Sequence, residues 1–125
     1  MNANRKVLIV EDEVVVAMAA CLTLESLGYG VTVAADGAEG LAKARADPPD
    51  IVVTDYMMPR MDGIEMLRAM RAEGIDKPAV LVTSIPEERL PEESTKLYQA
   101  YLAKPFRDET LIALIRKLLR VNNLH

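Results

Sequence analysis

Short apolar runs rich in β-branched residues alternate with segments of helical character along this chain of 125 residues, and this alternation limits the possible folds more than any other feature. The run K-V-L-I-V at Lys6–Val10 predicts a first strand that is covered on both faces. Similar runs predict four further strands, at residues 30–35, 51–54, 79–83 and 101–103. Strands that alternate with helices join through right-handed crossovers, so the sequence predicts an α/β domain with a doubly wound, five-stranded parallel sheet and helices on both faces.

Four helices are predicted from the segments between and after the strands. The first covers residues 14–27 and ends at Gly28, because glycine commonly closes a helix. The second is rich in alanine, opens at Asp36-Gly37 and ends before Asp47-Pro48-Pro49. The third and fourth carry apolar residues at helical spacing, over residues 64–72 and 111–119.

Residues 85–99, between the fourth and fifth predicted strands, contain Pro86 and Pro91. Proline inside a helix costs about 3 kcal/mol, and Pro91 also disfavours the α conformation at Leu90. Proline fits the first turn of a helix well. The sequence therefore predicts a shortened or broken helix here, with one turn over residues 87–90 and a second short helix that starts at Pro91.

Composition favours one domain covering residues 1–125, because half of the residues are apolar and the length suffices for a sizeable core. The net charge of −4 argues against direct binding of nucleic acid or of an anionic membrane surface. Cys21 is the sole cysteine, which fits a reducing compartment. Residues 1–6 do not resemble a secretory signal, and the nearly uncharged run 14–24 is too short to span a bilayer, so we expect a cytoplasmic protein.

Polar and charged residues follow several of the predicted strands at their carboxyl ends. Asp55 ends the run I-V-V-T-D, and the turn formers of Y-M-M-P-R-M-D-G follow it. The other strands deliver Glu11 and Asp12, then Thr83, and finally Lys104. Carboxyl ends of parallel strands share one edge of the sheet, and ligands bind there at the point where the strand order reverses. For the order 2-1-3-4-5 that point lies between the first and third strands.

Three carboxylates close together repel one another unless a cation joins them, and hard oxygen ligands suit Mg²⁺. Simpler interpretations exist for each residue alone. Glu11 and Asp12 would suit the N-terminus of the following helix, which favours negative charge. Lys104 would be an ordinary solvated lysine, and Tyr101 a half-buried strand aromatic.

These motifs together resemble the receiver domain of two-component response regulators. The resemblance covers essentially the whole chain: an acidic pair after the first strand, D-Y-M-M-P-R-M-D-G after the third, Thr83 after the fourth and K-P-F after the fifth. It implies the flavodoxin-like strand order 2-1-3-4-5. It also implies that Asp55 is the phosphoacceptor and that Glu11, Asp12 and Asp55, with the main-chain carbonyl of Met57, bind Mg²⁺.

The resemblance assigns further roles to three residues. Lys104 would pair with the phosphoryl group, Thr83 would hydrogen-bond to it, and Tyr101 would be an aromatic switch. The implied function is Mg²⁺-dependent acceptance of a phosphoryl group from a sensor histidine kinase or a histidine phosphotransfer protein, followed by altered binding to a downstream protein target. Such a domain is not an enzyme in the usual sense, although it assists its own phosphorylation and slow dephosphorylation.

Other functions fit the sequence less well. An aspartyl phosphatase requires a second acid two residues beyond the nucleophile, where this chain has Met57. A nucleotide-binding domain requires glycines after the first strand, where this chain has Glu11-Asp12-Glu13. The main alternative is a receiver-like interaction module that is never phosphorylated, although such a module is expected to lose an acid, the lysine or Asp55.

The first predicted helix has few polar residues over positions 14–20, which read V-V-V-A-M-A-A. Two explanations remain open from the sequence. The helix is packed deeply by small residues, or one of its faces is a docking surface for a kinase or a phosphotransfer protein.

Overall fold

The structure is a computed structural model that describes residues 5–123, and the side chains of residues 5–121. It contains one five-stranded sheet in the order β2-β1-β3-β4-β5, with every neighbouring pair parallel, which confirms the predicted fold class. The strands are β1 (Lys6–Val10), β2 (Gly30–Ala34), β3 (Ile51–Asp55), β4 (Ala79–Thr83) and β5 (Ala100–Ala103). The α-helices are α1 (Val14–Ser26), α2 (Gly37–Ala46), α3 (Gly63–Ala72) and α4 (Asp108–Asn123).

Alternate side chains of the strands point into two separate cores, one on each face of the sheet. On one face, Leu8 and Val10 of β1 belong to a core with α2 and α3. On the other face, Val7 and Ile9 belong to a core with α1 and α4. Burial on both faces explains why the sequences of β1, β3 and β4 are almost continuously apolar rather than alternating.

Several element ends differ from the sequence prediction. β3 extends through Asp55, and α4 begins at Asp108, three residues before the predicted start. α3 begins at Gly63 because Asp62 and Glu65 form a reciprocal capping box. The apolar periodicity locates the buried face of a helix, whereas polar capping residues set its ends, and these carry no periodic signal.

The segment between β4 and β5 has no α-helix, which confirms the prediction of a broken fourth helix. It forms two 3₁₀ helices, Glu87–Arg89 and Glu92–Lys96, and each directly follows a proline. Leu90 has an extended backbone, as expected of a residue before proline. Leu90 and Tyr98 are nevertheless buried against the α2 and α3 side of the sheet.

α1 is not packed deeply. Its buried residues are Ala17 and Leu24, whereas Val15 is 80% exposed and Leu22 is 67% exposed. The deep-packing explanation of its composition is therefore wrong. Among the described residues, no helix is long and apolar enough to cross a membrane. The prediction about a secretory signal concerns residues 1–6, of which residues 1–4 lie outside the described part of the chain.

Gly63 provides a stability test, because it lies where α3 starts against the end of β3. A Cβ atom at Gly63 would lie 2.0 Å from the carbonyl oxygen of Asp55 and 3.0 Å from Oγ1 of Thr54. We expect Gly63→Ala to lower the free energy of unfolding by about 3 kcal/mol or more, because backbone atoms must move. Urea denaturation followed by circular dichroism measures this loss.

Gly30→Ala in β2 is the matched control. Its Cβ would meet only the Arg5 carbonyl oxygen, at 3.8 Å, which is an ordinary contact. The control should change the free energy of unfolding by less than about 1 kcal/mol. Equal losses in the two variants would contradict the close approach at Gly63.

Candidate functional site

Asp55 is the last residue of β3, a strand whose five residues are all buried. It pairs in register with Val82 of β4, and the amide of Tyr56 donates to the Val82 carbonyl oxygen at 3.1 Å. The strand therefore delivers the Asp55 carboxylate to the carboxyl edge of the sheet while keeping it largely out of water. This edge lies between β1 and β3, the point where the strand order reverses.

Glu11 and Asp12 follow β1 and meet Asp55 at this edge. Each of the three residues offers a carboxylate oxygen, and these three oxygens lie within 4.8 Å of one another. Glu11 and Asp55 are buried, whereas Asp12 is exposed. The structure thus brings together the three acids that the sequence analysis selected.

Glu11 is the acid whose environment is most unfavourable for ionisation. Burial raises the pKa of its carboxyl group to about 7, and the neighbouring Asp55 contributes in the same direction. Two contacts act in the opposite direction: the Glu13 amide donates to Glu11 Oε2 at 2.9 Å, and the Lys104 ammonium group lies nearby. The Glu13 amide occupies only one oxygen of Glu11, and the side chain of Glu13, the N-cap residue of α1, makes no capping hydrogen bond.

Lys104 follows β5 and reaches across to the acids. Its Nζ lies 3.0 Å from Asp55 Oδ1, 3.1 Å from Asp55 Oδ2 and 3.7 Å from Glu11 Oε1. Burial alone would lower the pKa of Lys104, but the hydrogen bond and charge of Asp55, with the charge of Glu11, outweigh burial and raise it. Lys104 is therefore not an ordinary solvated lysine, because it is the cation that balances two buried carboxylates.

Thr83 and Tyr101 both contact the main chain of Ile85. Thr83 ends β4, and its Oγ1 accepts a hydrogen bond from the Ile85 amide at 3.1 Å. The half-buried Tyr101 donates its hydroxyl to the Ile85 carbonyl oxygen. Thr83 also lines a cavity of about 100 Å³ together with Asp55, Met57 and Lys104. The predicted switch residues are thus linked to each other through the residue that opens the segment with the two 3₁₀ helices.

One pair of residues near the site was missed by sequence reasoning. The guanidinium group of Arg60, in the loop after β3, forms an ion pair with the buried Asp36 at the start of α2. Asp36 before a helix is a readable capping signal, and its Oδ1 does accept from the Glu39 amide at 2.8 Å. Its partner Arg60 lies 24 positions away and has no sequence signal.

The donor set fits Mg²⁺. It consists of carboxylate oxygens from three residues on two strand ends, at the mouth of a site that water and phosphate oxygens can enter. Burial raises the pKa of Glu11 to about 7, and a divalent cation beside this carboxylate would favour its ionised form. The half-buried Lys104 lies beside Asp55 and contributes one positive charge to the same site.

The family of response regulator receiver domains matches residues 7–116, which is most of the chain. The chain belongs to this family. It is therefore a receiver domain of the two-component response regulator class, the phosphoacceptor module of such systems. Receiver domains bind Mg²⁺ at an acidic pocket, and this chain has a cluster of three acids at the carboxyl edge of its sheet.

Known proteins support this assignment. The alkaline phosphatase synthesis transcriptional regulatory protein PhoP of Bacillus subtilis is 35% identical over 118 residues, which cover 94% of this chain and 49% of that protein. The receiver domain of the Francisella response regulator 1452 has a TM-score of 0.88 at 32% identity, covering 95% of this chain and 99% of that one. The chain spans about half the length of the curated relatives it matches.

A third similar structure contains a metal complex. The response regulator protein TrrA from Thermotoga maritima, in complex with Mg²⁺ and BeF, has a TM-score of 0.82 at 27% identity, covering 91% of this chain and 98% of that chain. The complex belongs to that protein. It shows that a fold of this type accommodates Mg²⁺ and BeF together.

The raised pKa of Glu11 predicts how stability depends on pH. Between about pH 4.5 and 7 the folded protein retains a proton that the unfolded chain has lost, so the free energy of unfolding falls as pH rises through this range. Glu11→Gln removes this contribution. We expect the variant to gain about 2 kcal/mol relative to the original protein between about pH 5 and 8, in denaturant titrations with a metal chelator. If the free energy of unfolding depended on pH in the same way in the two proteins, ionisation of Glu11 would not destabilise the fold.

Proposed function

We propose that Asp55 is the phosphoacceptor of this receiver domain and that it takes its phosphoryl group from the phosphohistidine of a sensor histidine kinase or a histidine phosphotransfer protein. One observation carries the proposal: the Asp55 carboxylate lies at the mouth of the site, with Lys104 Nζ 3.0 Å from Oδ1 and two further acids beside it. This arrangement provides a nucleophile, a fixed cation and ligands for a second cation.

The transfer step requires little beyond positioning and charge neutralisation. An Asp55 carboxylate oxygen forms the new bond to phosphorus. The phosphorus–nitrogen bond to the donor histidine breaks, and its electron pair returns to the imidazole nitrogen. Lys104 carries positive charge at the point where the phosphoryl oxygens would lie, so its fixed ammonium group stabilises the transferring group electrostatically.

Glu11, Asp12, Asp55 and the main-chain carbonyl of Met57 are the groups that would bind Mg²⁺. When bound, the ion supplies positive charge to the phosphoryl oxygens and thereby lowers the repulsion between them and the carboxylates. The three acids are already close together, and Met57 lines the same cavity as Asp55. The Mg²⁺ and BeF complex of the similar TrrA structure also supports this assignment.

Phosphorylation would change partner binding through Thr83 and Tyr101. An acyl phosphate adds about two negative charges and new acceptor oxygens beside Asp55. The Thr83 hydroxyl, which now accepts from the Ile85 amide, would then donate to a phosphoryl oxygen. Tyr101 contacts the carbonyl of the same residue, so both switch residues bias the conformation at the start of residues 85–99.

The remaining parts of the proposal concern the protein in the cell. We infer that residues 1–125 act as a single domain in the cytoplasm and that the output is altered binding of a downstream protein target. The net charge of −4 does not favour direct contact with nucleic acid by this domain. The domain assists its own phosphorylation and slow dephosphorylation without being an enzyme in the usual sense.

The central test of the function is Asp55→Asn. An amide of the same shape cannot act as the nucleophile, so we expect the variant to gain no phosphoryl group when incubated with Mg²⁺ and acetyl phosphate. Intact-protein mass spectrometry measures the gain, and circular dichroism checks that the fold is retained. Labelling of Asp55→Asn would contradict the assignment, and an original protein that is never labelled would favour the passive interaction module.

We further propose that the phosphoryl donor docks on the α1 face, which we define as the exposed side chains of Val14, Val15, Met18 and Leu22. Val14, Met18 and Leu22 line a surface cavity that also includes Glu11, so the face continues into the acid cluster. A contiguous exposed apolar surface usually marks a protein interface. A protein donor must approach the Asp55 edge, and the α1 face is the apolar surface beside that edge.

Negative charge on the α1 face should slow phosphoryl transfer from a protein donor but not from a small donor such as acetyl phosphate. We expect the double variant Val15→Asp/Leu22→Asp to lower the rate of transfer from a phosphorylated donor protein about tenfold or more, because aspartate opposes burial in an interface. Labelling by acetyl phosphate should stay within about twofold, since the small donor needs no docking surface. Val121→Asp, at an exposed valine of α4, is the control. Unchanged transfer from every active donor protein would exclude the α1 face.

Residues 85–99 should be the part of the domain that phosphorylation reshapes most. Their two 3₁₀ helices are only three and five residues long, and side chains support them: Tyr98 donates to Glu87 at 2.8 Å and Arg71 donates to the Leu97 carbonyl at 2.7 Å. Short helices of this kind open easily. We expect amides of residues 87–99 to exchange faster than those of α3, and to change on addition of beryllofluoride and Mg²⁺. Strong protection in both states would show that output does not involve this segment.

A further inference from the structure

Arg60 has an unusual backbone conformation in the loop that joins Asp55 to α3. Its φ angle is +69°, and among the described residues it is the only non-glycine residue with a positive φ. Left-handed backbone is disfavoured for residues with a Cβ atom, so contacts elsewhere must hold Arg60 in place. The loop, residues 56–62, includes Met57, whose carbonyl is one of the proposed metal ligands.

Asp36 is the residue that holds Arg60. The Arg60 side chain is 73% exposed, yet its guanidinium group ion-pairs with Oδ2 of Asp36, a carboxylate that is only 2% exposed. The other oxygen, Oδ1, accepts the Glu39 amide at 2.8 Å and caps α2. Both oxygens of Asp36 are therefore used, and the helix fixes the acid that anchors Arg60.

A second contact joins the same two parts of the chain. The Gly37 amide donates to the Met61 carbonyl oxygen at 3.0 Å. A Cβ atom at residue 37 would lie 2.4 Å from that oxygen, so the start of α2 touches the loop main chain directly. Two other residues restrict the backbone of the loop: Pro59 fixes its own φ, and Met58 packs against the core. Few backbone conformations then remain for residues 57–61.

We propose that Arg60 and Asp36 are positioning residues for the metal site, because their ion pair holds Arg60 in its left-handed conformation and so fixes the loop that would present the Met57 carbonyl to the acid cluster. This inference rests on the proposed function of that cluster. Neither residue touches the phosphoryl group. They act through the loop, in the way that groups behind a metal ligand commonly fix its orientation.

Hydrogen exchange of the metal-free protein tests whether the ion pair between Arg60 and Asp36 holds the loop when no ligand is bound. Arg60→Ala loses the ion pair and keeps the left-handed strain, so the Gly37 amide should exchange about tenfold faster than in the original protein. Arg60→Gly also loses the pair but adopts a positive φ without strain, so its Gly37 amide should be better protected than that of Arg60→Ala. Arg45→Ala is the matched control, because Arg45 of α2 pairs with Glu73 and not with the loop.

Calorimetric titration with Mg²⁺ tests the consequence for the metal site. We expect the Kd to rise about tenfold in Arg60→Ala, to rise less in Arg60→Gly and to be unchanged in Arg45→Ala. Asp36→Asn should weaken Mg²⁺ binding in the original protein but cause no further loss of affinity in the Arg60→Gly background. The amide side chain of the asparagine would still cap α2.

Two results would overturn the inference. In the first, Arg60→Ala has the same Mg²⁺ affinity and the same protection of the Gly37 amide as the original protein. In the second, Arg60→Gly shows neither tighter Mg²⁺ binding nor slower exchange at Gly37 than Arg60→Ala. An original protein that binds no Mg²⁺ overturns the inference and the proposed metal site together. Normal binding by the original protein, matched by Arg60→Ala, overturns only the role of the ion pair.

Discussion

The balance of charge around Asp55 is the interaction on which the site depends. The sheet brings two buried carboxylates, Glu11 and Asp55, to one edge and supplies a single lysine to oppose them. The raised pKa of Glu11 is the consequence, because two neighbouring acids out of water cannot both ionise freely. A cation that joins the acids, or a phosphoryl group that engages the lysine, changes this balance. Under the proposed function, the site would therefore respond both to Mg²⁺ and to the phosphoryl group.

The fold makes this sensitivity useful because each participant comes from a different strand. Asp55 ends β3 and Thr83 ends the neighbouring β4, and Tyr101 on β5 contacts the same Ile85 main chain as Thr83 does. Ile85 opens the segment that forms two 3₁₀ helices rather than one α-helix. The strands thus carry the groups that we propose to react, whereas the segment with two 3₁₀ helices lies directly beyond the proposed switch residues. That arrangement lets a local electrostatic change alter a surface.

Sequence reasoning succeeded where one physical rule dominated. Continuous apolar runs identified β1, β3 and β4, because these three strands are covered on both faces. Proline geometry identified the broken fourth helix. The acid cluster followed from the rule that carboxyl ends of parallel strands share an edge.

Other features of the structure depend on tertiary contacts that the sequence does not encode locally. The start of α4 at Asp108 lies outside the apolar periodicity. The ion pair between Arg60 and Asp36 joins two separate segments of the chain, so only the folded structure reveals it. The sequence did not determine whether α1 is buried or exposed, because valine and alanine fit a buried helix and a docking face equally well.

Proton-linked Mg²⁺ binding is the measurement that tests the account most directly. Calorimetric titration at about pH 6, in two buffers with different ionisation enthalpies, gives both the Mg²⁺ stoichiometry and the protons released. The account predicts one Mg²⁺ per chain and net proton release, which disappears in Glu11→Gln because Glu11 is the acid that is still protonated at this pH. Absence of Mg²⁺ binding, or binding with the same proton release in Glu11→Gln, would contradict the claim that these buried acids form the metal site of the phosphoacceptor.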